Sequence, residues 1–261
     1  MLSACKKFLR RTLPTPLVHS LVTLHDWRDL LACLAFLGNS SLAASFADRV
    51  RIVKQLYRTS FNLRSPHTQE EILSYIEAIL SLSADGKGIV VEAGCFKGSS
   101  TAKFSLAADI AGRKLVVFDS FQGFPKNEER HDKDIFGKPV NFPPGALCGA
   151  LEEVKGNVAK FGRIGCCRFV AGWFEKTMPG FAEPIAAIFL DVDLASSTRT
   201  CLKHLYPLLE PGGVLYSHDG HLPRVIEVFA DEGFWHNEIG IARPPVQGLG
   251  RKKLIKIVKA R

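Results

Sequence analysis

From residue 88 onward, short apolar runs alternate with helical stretches, and most of the runs close on an acidic residue. That alternation constrains the fold more than any other feature of the chain. The runs are 88–92, 114–119, 167–171, 186–191 and 213–217, and helical stretches fall at 99–111, 147–161 and 196–209. Ile188-Phe189-Leu190 shows no polar alternation, as expected of a strand buried on both faces. This β-α-β-α order predicts a doubly wound α/β domain, a mostly parallel sheet with helices on both sides. Residues 224–232 read as a further helix. Residues 234–239 and 254–258 read as two last strands, paired as an antiparallel hairpin, which brings the sheet to seven strands.

Residues 1–84 read differently. The segments 26–36, 42–57 and 68–82 carry apolar residues at helical spacing. Thr68 with Glu71 three residues on is a capping-box signature ahead of the apolar run. No Ser/Gly-rich linker follows, so 1–84 is expected to be a helical extension packed on a core formed by 85–261. Of the 261 residues, 46% are hydrophobic, enough for a sizeable core. The apolar stretch 30–36 falls far short of the roughly 20 residues that span a bilayer. The basic start, Lys6 to Arg11, is followed by Pro14 and Pro16 rather than by the apolar core of a leader. A cytoplasmic protein without a membrane span is the expectation. Seven cysteines, an odd number with no CxxC pair, read as free thiols rather than a disulfide or zinc framework. The net charge of +8 sits mainly at the two ends, in 6–11 and 251–261, and reads as solvated basic ends.

In doubly wound sheets, ligands bind beyond the carboxyl ends of the strands, at the point where strand order reverses. The residues there are Glu92-Ala93-Gly94, Asp119-Ser120, Gly172-Trp173, Asp191-Val192-Asp193 and His218-Asp219. The stretch from Val90 to Ser100 is a strand, a glycine turn and a helix start. Gly94 and Gly98 allow a tight turn and close backbone approach to a ligand, and Ser99 or Ser100 can cap the helix. Three residues separate the two glycines, so this is not a dinucleotide fingerprint. Asp119 ends the next strand, where an acid can accept hydrogen bonds from both ribose hydroxyls. Gly172-Trp173-Phe174 places a flat aromatic where an adenine would lie, although a core tryptophan reads equally well.

Glu92-Ala93-Gly94-Cys95 with Lys97-Gly98-Ser99-Ser100, Phe118-Asp119-Ser120-Phe121-Gln122-Gly123-Phe124-Pro125, and Leu190-Asp191-Val192-Asp193 with Ser196-Ser197-Thr198, Leu205-Tyr206-Pro207 and Pro211-Gly212-Gly213 together resemble the macrocin O-methyltransferase family. The resemblance covers roughly residues 60–235. It implies a Rossmann-like class I fold, S-adenosylmethionine as methyl donor, and methylation of a small-molecule hydroxyl, typically on a sugar, with help from a divalent cation such as Mg²⁺. Through it, Asp191 and Asp219 map to metal positions and Asp193 to the general base. One departure stands out: the family commonly has two adjacent aspartates where this chain has His218-Asp219. Imidazole suits Zn²⁺, Fe²⁺ or Mn²⁺ better than Mg²⁺. Three readings of His218 follow: a ligand to a different metal, the base of a metal-free site, or a hydrogen-bonding residue.

The segment 122–146 is long, rich in proline and charge, and without apolar periodicity, as a lid over the acceptor would be. His131, Asp132 and Asp134 lie within it. Two other classes compete with the enzyme. A binding module that keeps the nucleoside site and has lost its chemistry is motivated by His218. A nucleic-acid methyltransferase is motivated by the charge, but neither an Asn/Asp-Pro-Pro-Tyr motif nor a basic stripe interleaved with aromatics accompanies it, so no nucleic-acid partner is expected. Homo-oligomerisation is left open.

Overall fold

The computed structural model describes residues 27–83, 86, 88–127, 129 and 132–260. Cys5, the basic cluster 6–11, Asp26 and His131 lie outside them. The chain opens with three helices, α1 (Trp27–Gly38), α2 (Phe46–Asn62) and α3 (Gln69–Leu80). Ser45 starts α2 by accepting the Asp48 N–H on its hydroxyl. The Thr68–Glu71 capping box starts α3 as its spacing predicts: Glu71 accepts the Thr68 N–H at 2.8 Å and Thr68 accepts the Glu71 N–H at 3.1 Å.

The sheet is six-stranded, in the order β3-β2-β1-β4-β5-β6. Its strands are β1 (Ile89–Ala93), β2 (Leu115–Asp119), β3 (Cys167–Ala171), β4 (Ile185–Leu190), β5 (Leu209–Ser217) and β6 (Ile255–Val258). The first five are parallel, and β6 lies antiparallel to β5. Side chains alternate along the strands and build two cores. Val90, Val117, Ala187 and Phe189 face the N-terminal helices, α4 (Ser99–Ile110) and α5 (Leu151–Phe161). Val91, Val116, Ile188 and Leu215 face α7 (Ala195–Leu205) and α8 (Pro223–Ala230). The short α6 (Phe174–Thr177) follows β3. Strand order reverses between β1 and β4, and a crevice at their carboxyl ends follows.

The expected seventh strand is absent among the described residues. Residues 234–239 are helical: a short turn at Glu232–Phe234 runs into a π-helical turn at Trp235–Ile239. Phe234, Trp235 and Ile239 do not alternate as a strand would; Trp235 and Ile239 are spaced for one face of a helix, and Asp231 caps the segment, accepting the Phe234 N–H at 2.9 Å. Trp235 is fully buried, with its indole N–H on the Phe229 carbonyl. Helix α5 also starts later than its apolar pattern, at Leu151: Leu147 has φ 53°, outside right-handed helix geometry, and Gly149 lies against the Phe96 carbonyl, where a Cβ would come within 2.0 Å. All six described cysteines are free thiols. No helix among the described residues is long and apolar enough to cross a membrane.

One buried charge in this frame has a measurable consequence. Lys103 on α4 is wholly buried and donates to the Ser60 hydroxyl at 2.8 Å. Burial pulls its ammonium down to about 7, with Asp29 opposing. An unfolded lysine titrates near 10.4. The unfolded chain therefore holds a proton that the native chain gives up, and native stability falls as pH drops from about 10 to about 7, then levels. Lys103→Met is expected to remove that slope. Urea denaturation at pH 6, 8 and 10 should show the variant more stable at pH 6, by on the order of a few kcal/mol, with the difference shrinking toward pH 10. Parallel pH profiles for the two proteins would show that Lys103 is charged in the native state.

Candidate functional site

A cavity of about 270 Å³ opens at the strand-order reversal. The ends of β1 and β2 make one side of it. Gly94 has φ 82° and donates its N–H to the Phe118 carbonyl at 2.9 Å. A Cβ there would come within 2.1 Å of the Asp191 carbonyl oxygen, so only glycine lets the β1 and β4 loops meet. Asp119 is held by two backbone donors: Oδ2 accepts the Cys95 N–H at 2.8 Å and Oδ1 the Phe121 N–H at 2.7 Å. A carboxylate oxygen has a second lone pair, so both oxygens can accept another hydrogen bond from the cavity they line. Ser120, Gly172, Trp173 and Phe174 line the same side.

Four of the expected nucleoside residues stand behind the wall rather than on it. Glu92 points to the α4 face and accepts the Thr101 hydroxyl at 2.5 Å; burial pushes its carboxyl up to about 8, moderated by Ser100 and Thr101. Gly98 sits against Val154 on α5, and Ser99 and Ser100 are buried in the first turn of α4. These residues fix the turn that presents Gly94.

The ends of β4 and β5 make the other side. Asp219 is fully buried, and its Oδ2 accepts the N–H groups of Val192 at 2.9 Å and Asp193 at 3.0 Å. That grip holds Asp193 in a left-handed conformation, φ 59°. Asp219 Oδ1 is buried with no hydrogen-bond partner in the protein. Burial, with the Asp191 charge adding, pushes Asp219 up to about 7; burial and then Asp219 and Asp191 raise Asp193. Asp191 goes the other way. Burial opposes its charge, but His67 and His218 outweigh that and hold it below the usual carboxylate range. Its Oδ2 lies 3.1 Å from His67 Nε2 and its Oδ1 3.3 Å from His218 Nδ1. The other nitrogen of His218 faces Glu71 at 3.3 Å. Against the cost of burial, those two carboxylates lift His218 to about 10. Donor atoms of His67, Asp191 and His218 lie within 4.8 Å of one another, as do those of Asp191, Asp193 and Asp219.

A model of the macrocin O-methyltransferase (TylF) family matches residues 70–244. The chain belongs to that family. Mycinamicin III 3''-O-methyltransferase of Micromonospora griseorubida is 34% identical over 148 residues, which are 52% of this chain and 56% of that protein. The 8-demethyl-8-(2,3-dimethoxy-alpha-L-rhamnosyl)-tetracenomycin-C 4'-O-methyltransferase of Streptomyces olivaceus is 36% identical over 152 residues, 55% of this chain and 56% of that protein. The chain thus spans just over half the length of these relatives. Among solved structures, the O-methyltransferase NovP superposes with a TM-score of 0.60 at 21% identity, covering 90% of this chain and 99% of that one. The calicheamicin methyltransferase CalS11 does so with 0.55 at 19%, covering 90% and 94%. At these identities the structures bear on the fold.

On this macrocin O-methyltransferase frame, two cavity residues, His221 and Lys253, and one residue beside Asp191, His67, escaped the sequence reading. His67 is a single histidine between Pro66 and the Thr68 cap, with no partner spacing to mark it. His221 lines the cavity, and burial, with Lys253 and His218 adding, lowers it to about 4. Lys253, read as part of a solvated basic end, reaches the cavity instead. The segment 122–146 is pinned at several points. Phe124 exchanges hydrogen bonds with Gly145 and Ala146, Ile135 donates to the His221 carbonyl, and Asp134 accepts from Phe136 and Lys138. Glu129 reaches across to the first turn of α7, accepting the N–H groups of Ala195 at 2.7 Å and Ser196 at 2.9 Å.

Proposed function

We propose that this chain transfers a methyl group from S-adenosylmethionine to a hydroxyl of a small molecule, with a sugar as the acceptor class. The observation that carries the reading is that one cavity is bounded by Asp119 on one side and by Asp191, Asp193 and His218 on the other. A nucleoside and a hydroxyl acceptor would meet between them. The Streptomyces olivaceus relative is named for a rhamnosyl-bearing acceptor, which supports the sugar class.

S-adenosylmethionine supplies, when bound, a methyl group on a positive sulfonium. In this reading, Asp119 accepts the ribose hydroxyls with the lone pairs that Cys95 and Phe121 leave free. Gly94 lets the donor approach the backbone, and Trp173 borders the adenine. Asp193 takes the proton from the acceptor hydroxyl. His218 is not suited to that step, because both of its ring nitrogens face carboxylates, Glu71 and Asp191. The segment 122–146 closes over the acceptor, held to α7 by Glu129. A divalent cation fits the reaction end, where Asp191 is shared by two donor groupings and Asp219 Oδ1 is orphaned. There it would lower the pKa of the acceptor hydroxyl.

Calorimetry with S-adenosylmethionine tests the donor site. Asp119→Ala removes one or two charge-assisted hydrogen bonds, each roughly 1.5–3 kcal/mol. Affinity is expected to fall by at least about tenfold. A wild-type chain that binds neither the donor nor its demethylated product would sink the reading, as would unchanged affinity in a folded variant. Turnover against a panel of hydroxylated acceptors then identifies the acceptor.

A further inference from the structure

We infer that His67, Asp191 and His218 form a cation site that selects a first-row transition ion, such as Zn²⁺ or Co²⁺, over Mg²⁺. The inference deepens the proposed function by naming the cation and adding a ligand from outside the sheet. Both imidazoles are buried, with side-chain exposures of 2% for His67 and 4% for His218. His67 Nε2 lies 3.1 Å from Asp191 Oδ2 yet is left without a hydrogen bond. Close approach without hydrogen-bond alignment is what co-ligands of one ion show, since each lone pair aims at the ion rather than at the neighbouring ligand. Ligands bound at roughly 2.0–2.1 Å in a tetrahedral site stand about 3.3 Å apart. The two nitrogens stand beside different oxygens of Asp191, His67 Nε2 3.1 Å from Oδ2 and His218 Nδ1 3.3 Å from Oδ1, so an ion between the rings would take the carboxylate through both oxygens.

The surroundings fit the same role. Metal-bound imidazoles usually present their second nitrogen to a carboxylate or another polar group, which fixes the ring. His218 Nε2 faces Glu71 at 3.3 Å as an ion-pair contact without a hydrogen bond, and His67 Nδ1 lies 3.4 Å from the Ser65 hydroxyl. Glu71 is itself fixed by the Thr68 N–H. Two imidazoles and one carboxylate suit Zn²⁺, Co²⁺ or Mn²⁺, whereas Mg²⁺ takes oxygen donors. The oxygen grouping of Asp191, Asp193 and Asp219 is the competitor: Asp219 Oδ2 is committed to two backbone donors, its Oδ1 stays open to an ion, and an all-carboxylate set is the one Mg²⁺ would take.

The full chain, stripped with chelator and titrated with CoCl₂, ZnCl₂ or MgCl₂, tests this by calorimetry and by the visible absorption of Co²⁺. One Co²⁺ per chain is expected, displaced by Zn²⁺, with Mg²⁺ weaker by roughly 100-fold or more. His67→Gln should weaken Co²⁺ binding by more than 100-fold, while Glu71→Gln, which keeps the helix cap, should cost the roughly 10–100-fold typical of an outer partner. Imidazole nitrogen NMR of the wild type gives a readout that needs no variant: two histidines should shift on Zn²⁺ binding. Mg²⁺ binding as tight as Zn²⁺, a folded His67→Gln chain with unchanged Co²⁺ affinity, or unshifted imidazoles would overturn the site. Donor binding measured in the same samples separates the outcomes. Donor bound with no transition-ion site sinks only this inference, and no donor binding sinks the function.

Discussion

Asp193→Asn is expected to slow methyl transfer by roughly 10²–10⁴-fold, the usual loss when a general base is removed. The amide keeps the shape of the side chain but cannot take the acceptor's proton. The backbone of residue 193 stays gripped by Asp219, because the bond runs through its N–H and not its side chain. Donor affinity should therefore hold within a few-fold, so that kcat falls while the calorimetric constant for the donor does not. Steady-state kinetics on the identified acceptor, with donor calorimetry on the same protein, checks both halves. If kcat stays near wild type, Asp193 is a loop-shaping residue and the proton leaves by another route.

Gly94→Ala should be as damaging by a different path. A side chain at φ 82° carries the left-handed penalty of roughly 1–2 kcal/mol. Its Cβ would also press to 2.1 Å on the Asp191 carbonyl oxygen, and overpacking of this kind typically costs a further 1–3 kcal/mol. The β4 loop must retreat, and Asp191 moves with it. Donor binding and turnover are both expected to collapse, with about 2–5 kcal/mol lost from unfolding stability. Gly112→Ala is the control, since Gly112 has φ 65° with nothing within 4 Å of the added carbon. It should lose only the conformational penalty and keep its activity. Equal stability losses for the two variants would mean that the β1 and β4 loops do not meet as described.

The strands and their acidic ends were legible because both are local properties. A run such as Ile188-Phe189-Leu190 is buried wherever the chain places it, and an acid that ends a strand is aimed by the sheet. The strand-end positions of Asp119 and Asp191 and the Thr68–Glu71 cap could therefore be read from the sequence, whereas the roles given to Asp191 and Asp193 rested on the resemblance. Glu92 and Asp119 look alike in sequence, yet β1 side chains alternate, and Glu92 falls on the α4 side, where Thr101 meets it. Which face a strand residue takes depends on the register of its neighbours, which a single run does not encode. His67 failed for a related reason: its partners Asp191 and His218 are strangers in sequence, joined only when α3 packs on the sheet. The segment 234–239 shows the reverse case, where aromatic content suggests a strand but the spacing of Trp235 and Ile239 and the Asp231 cap suit a helical turn.

The cavity takes Arg64 and Pro66 from before α3 and Lys253 from just before β6, with the sheet ends between them. His67 and Glu71 stand beside His218. A boundary drawn at residue 84 would separate the opening helices from the sheet while cutting through the proposed reaction centre. The opening helices are thus not an appendage that can be exchanged freely. A chimera that swapped residues 27–83 for those of a relative would inherit a new ligand set along with a new wall, on an unchanged sheet. Chemistry and acceptor choice would travel together as one heritable cassette, and the sheet would serve as the constant chassis on which such cassettes diversify.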